Sequence, residues 1–152
     1  MVKDLLDLVK SLLGLKADLD KSALERRLRI GAYLNNISDC LNQSVKKFRE
    51  GEAPVNICAE IDEYLYDLFE VVEEEIGVEK FERYKQILAN AATYKARAVS
   101  AFLQHTSLDQ VGADSYPSNV IPESALQTLE DDLRVLEDAA GRFKALANSI
   151  QI

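Results

Sequence analysis

Residues 54–76 read PVNICAEIDEYLYDLFEVVEEEI, and their apolar side chains recur at Ile57, Ile61, Leu65, Leu68 and Val72. Steps of four, four, three and four put these residues on one face of an α-helix, whereas a half-buried strand would need steps of two. The same steps continue outward in both directions. Residues 20–50 carry Ile30, Leu34, Ile37, Leu41, Val45 and Phe48, and residues 78–106 carry Phe81, Tyr84, Leu88, Ala91, Ala98 and Phe102. Residues 122–150 carry Leu126, Leu129, Leu133, Leu136, Ala140, Phe143 and Ile150, and residues 2–13 form a short fifth segment. Nothing alternates with period two, so the expected fold class is all-α.

The punctuation divides the chain at the same points. Gly51 follows the basic run Lys46, Lys47 and Arg49, which suits a helix C-terminus whose dipole favours cations. Pro54 then stands where a first-turn proline is tolerated, and Pro122 opens the last segment in the same way. Gly77 alone separates EVVEEEI from VEKFERY, which predicts a tight antiparallel pair. The expected architecture is a single domain over 1–152, a four-helix up-and-down bundle. A short amphipathic N-terminal helix occupies 1–15, three antiparallel helices occupy 20–106, and the fourth long helix occupies 122–150. Residues 107–121, SLDQVGADSYPSNVI, lack periodicity. At about fifteen residues they exceed the two to eight usual between bundle helices. A loop crossing the bundle end is the plainer expectation, and a binding loop is the other. Alanines at 89, 91, 92, 96, 98 and 101, with Ala139, Ala140 and Gly141, predict close helix packing first and a ligand cavity second, and Gly31 marks a close contact or a bend.

Composition excludes much chemistry. The 152 residues hold 18 basic and 26 acidic side chains, a net charge of −8. A chain of this length buries roughly 70% of its unfolded surface, so it needs no metal or disulfide staple. A pI near 4.7 argues against nucleic acid as a partner, since phosphate binding requires a basic face. The six glycines, no two closer than 17 residues, cannot build a phosphate-cradling loop. Di-iron bundles need Glu-x-x-His on two helices, but here Phe102 stands three residues before the single histidine, His105. Haem finds no axial pair, because Met1 is the only methionine and no C-x-x-C-H occurs. A zinc site would have to join Cys40, Cys58 and His105 with no short spacing. Histidine phosphotransfer domains are four-helix bundles whose histidine sits mid-helix, with a lysine and a glycine soon after. Thr106, Ser107, Leu108 and Asp109 follow His105 instead, so phosphotransfer or another enzyme ranks third among the functions. No catalytic residue, metal or cofactor is expected.

Cys40 and Cys58 flank the turn near residue 52 at unequal distances. The resulting axial offset of about 9 Å is too large for a disulfide, so two reduced thiols in the cytoplasm are expected. No uncharged apolar run is long enough to span a bilayer, and Asp4, Asp7 and Lys10 interrupt what would otherwise read as a signal peptide.

Charge is concentrated on one helix. Residues 54–76 hold eight acidic and no basic side chains, while the flanking segments 18–50 and 78–107 are net basic. On a helical wheel Glu60, Glu63, Asp67, Glu70 and Glu74 share an arc about 80° wide, with Tyr66 and Phe69 on the opposite flank. The first expectation is cross-helix pairing with the basic neighbours, which would set register. The second is an acidic and aromatic face for another protein with a basic surface, formed by Glu60, Glu63, Tyr66, Asp67, Phe69, Glu70 and Glu74. A carboxylate metal site comes third, because hard cations draw ligands from several elements or one tight loop.

The N-terminal helix sets Leu5, Leu6, Val9, Leu12 and Leu13, with Leu8, against Lys3, Asp4, Asp7 and Lys10. Docking on the bundle is the first expectation for this face, and Gly14 is expected to free the helix from the residues after it. Self-association into a homo-oligomer is the second. Insertion into a membrane surface is the third, weakened by the two aspartates. A bundle preceded by such a helix resembles membrane-acting helical domains of cell-death and conflict systems, in layout rather than in motif. The leading function is therefore a non-enzymatic interaction or regulatory module that binds another protein. The alternative is a peripheral membrane-binding bundle acting through residues 1–15.

Overall fold

The computed structural model describes residues 3–19, 21–91 and 123–152, and it is an all-α helical bundle. Helix α1 spans Lys3–Ser11 and runs through a 3-10 turn, Leu12–Gly14, into the single-turn α2, Leu15–Asp18. Four further helices complete the described chain: α3 (Leu24–Arg49), α4 (Val55–Ile76), α5 (Val78–Ala91) and α6 (Glu123–Ile150). The stretch 92–122, with His105, the 107–121 segment and the later alanines, lies outside the described residues.

Helix α3 packs along both α4 and α6, α4 also packs on α5, and α1 lies against both α5 and α6. These contacts close a ring in the order α4, α3, α6, α1, α5. All six apolar positions read from the α3 periodicity, Ile30 through Phe48, are buried. They join Ile61, Leu65, Leu68 and Val72 of α4, Phe81 and Tyr84 of α5, and Leu133, Leu136, Phe143 and Ile150 of α6 in one cluster. Small residues let α3 and α6 approach closely. The buried Ser38 hydroxyl donates to the Ala140 carbonyl at 2.7 Å, which satisfies both groups away from water. At Gly31 a Cβ would collide with the Gln151 side chain, so this glycine marks a close contact.

The two interhelix glycines have positive φ, 84° at Gly51 and 85° at Gly77, a region that residues with a Cβ avoid. Gly77 N–H donates to the Glu73 carbonyl at 2.9 Å and stops α4, so α5 starts at the next residue. The ends of α3 and α6 are tied at the surface by Arg49, which reaches Glu130 at 2.8 Å and also Glu137.

Two features differ from the sequence expectation. Helix α3 begins at Leu24 rather than near residue 20, with Ala23 extended before it at φ −60°, ψ 144°. The cause is tertiary: Asp18 accepts hydrogen bonds from Arg83 at 2.6 Å and from the Tyr84 hydroxyl at 2.7 Å, which pins the end of α2 to α5. Gly14, expected to release α1, instead keeps helical angles of φ −79° and ψ −9° and lies close to the Tyr84 hydroxyl.

Candidate interaction face on α4

The buried row Ile61, Leu65, Leu68 and Val72 fixes the rotation of α4 and turns its acidic side outward. Glu60, Glu63, Glu70 and Glu74 are exposed, and Asp67 is half-buried. Tyr66 stands among them with 62% of its surface exposed, unusual for a large aromatic side chain. The Glu70 carboxylate beside it holds the phenol above its ordinary pKa. Asp62, Glu63, Tyr66 and Asp67 line a shallow concavity on this side.

Among the described residues, cross-helix pairing accounts for little of the stripe's charge. The ion pair from α4 to α3 joins Glu75 to Arg26 at 3.5 Å, and Glu75 lies outside the acidic stripe. Among the described residues, Glu60, Glu63, Asp67, Glu70 and Glu74 form no ion pair. Arg26 and Arg29 of α3 line a depression with Glu74 and Glu75 at one end of the stripe, while Arg49 pairs with α6 and Arg83 with Asp18 at 2.6 Å. A row of carboxylates that forms no ion pair among the described residues sustains a negative potential that draws a cationic partner.

Phe69 does not belong to this surface. Its ring is half-buried against the core and meets Phe81 edge-on, with centroids 4.6 Å apart and planes at 77°. That geometry is a favourable aromatic pairing and joins α4 to α5. Tyr64 sits at the edge of the face; its phenol is pushed up first by burial and then by the charges of Cys40, Glu60 and other acidic neighbours.

Both cysteines are free and buried. The Cys40 thiol donates to Glu60 Oε2 at 3.7 Å. Burial, followed by the adjacent Glu60 and then Asp39, pushes this thiol up to about 11, so at neutral pH it is a protonated and poor nucleophile. Among the described residues no group of three or more His, Cys, Asp or Glu side chains could hold a metal ion.

The N-terminal apolar face is occupied inside the bundle. Leu5, Leu8, Val9 and Leu12 are each at most 1% exposed, Leu6 is half-buried against the same core, and Leu13 alone points outward at 61%. No helix among the described residues is long and apolar enough to cross a membrane.

Two polar clusters escaped the sequence reading: Asp18 with Arg83 and Tyr84, and Arg49 with Glu130 and Glu137. Only the second left a trace, since Glu130 and Glu137 are seven residues apart and share a helix face. No protein-family model matches the chain, no curated protein matches it, and no solved structure matches it.

Proposed function

We propose that this protein is a non-enzymatic interaction or regulatory module of the cytoplasm that binds another protein through the outer side of α4. The partner presents a basic surface. One observation carries this reading: the stripe Glu60, Glu63, Glu70 and Glu74 faces solvent without ion pairs among the described residues, with the exposed Tyr66 set into it. Tyrosine is a frequent interface anchor, because it contributes large contact area with few rotatable bonds and keeps a polar tip. The carboxylates steer a cationic surface towards it and raise the association rate, and added salt weakens that contribution.

A peripheral membrane role through residues 1–15 would require α1 to leave the core, where its leucines are already sheltered from water. The α4 reading needs no rearrangement. Its test is quantitative capture from native cell extract with the wild type and with a Glu63→Gln, Tyr66→Ala, Glu70→Gln variant. Specific partners retained by the wild type should be lost by the variant, while both proteins melt alike. Equal retention by the two proteins would refute the assignment of the face.

A further inference from the structure

We draw no further inference here: the strongest candidate, the surface patch that the exposed Leu24 and Leu28 form beside Arg26 and Arg29 on the first turns of α3, carries nothing because among the described residues nothing shows what covers it.

Discussion

The Tyr84 hydroxyl donates to Asp18 Oδ2 at 2.7 Å and ties the end of α2 to α5. The Asp18 side chain keeps only 13% of its surface exposed, and Arg83 reaches the same oxygen at 2.6 Å. Asp18→Ala would leave a partly buried phenol without its acceptor, a loss of about 1–3 kcal/mol. Chemical denaturation should show that loss. Stability equal to wild type would mean that the tie does not hold the N-terminal segment.

Alkaline pH should loosen the protein before it affects most of its charges. Burial, then the Asp18 bond, pushes Tyr84 up to about 12, and burial, then Glu60, pushes Cys40 up to about 11. Both groups are neutral when protonated, and both pKa values are higher folded than unfolded. The folded state thus holds protons that the unfolded state releases, and stability falls as pH rises from about 9 towards 12. Melting temperature measured across that range should decline, and Cys40→Ala should flatten the decline near its lower end. A melting temperature flat through pH 11 would contradict the burial of these groups.

Leu8 and Leu13 lie on one short segment and should respond differently to the same change. Leu8 is fully buried, so Leu8→Ala should cost about 2–5 kcal/mol through lost burial and a cavity. Leu13 is 61% exposed, and Leu13→Ala should stay within about 0.5 kcal/mol. Full-length protein mixed with anionic vesicles should remain in the supernatant. Co-sedimentation abolished by a Leu5→Asp, Val9→Asp variant would show instead that α1 works at a lipid surface.

Two glycine-to-alanine substitutions should have opposite signs. Gly141 lies inside α6 with open space around the position of a Cβ, so Gly141→Ala should stabilise by about 1 kcal/mol. Gly77 has φ 85° between α4 and α5, and Gly77→Ala should destabilise by about 1–2 kcal/mol although nothing blocks the added methyl. Thermal denaturation of the two variants checks both signs.

The long helices were legible because their apolar residues recur at three and four, and burial follows that period in α3, α4 and α6. The break between α2 and α3 was not legible: its residues suit a helix, and the turn is imposed by Asp18 reaching across to α5. The acidic stripe could be read from the wheel, which gives the direction of a side chain but not its neighbour. Phe69 shows that limit, because the Phe81 ring draws it inward from a flank that looked open. For the same reason the wheel could not tell whether the stripe would meet cations. That depended on Arg26 of α3 meeting Glu75, which lies outside the stripe.

Carboxyl-group footprinting of the captured complex against the free protein tests the α4 assignment most directly. Glu63, Glu70 and Glu74 are exposed in the free chain and should react readily there. In the complex these three should be protected severalfold, while Glu82 of α5 and Asp131 of α6, also exposed, should keep their reactivity. Protection of α5 or α6 carboxylates with α4 still fully reactive would contradict the account.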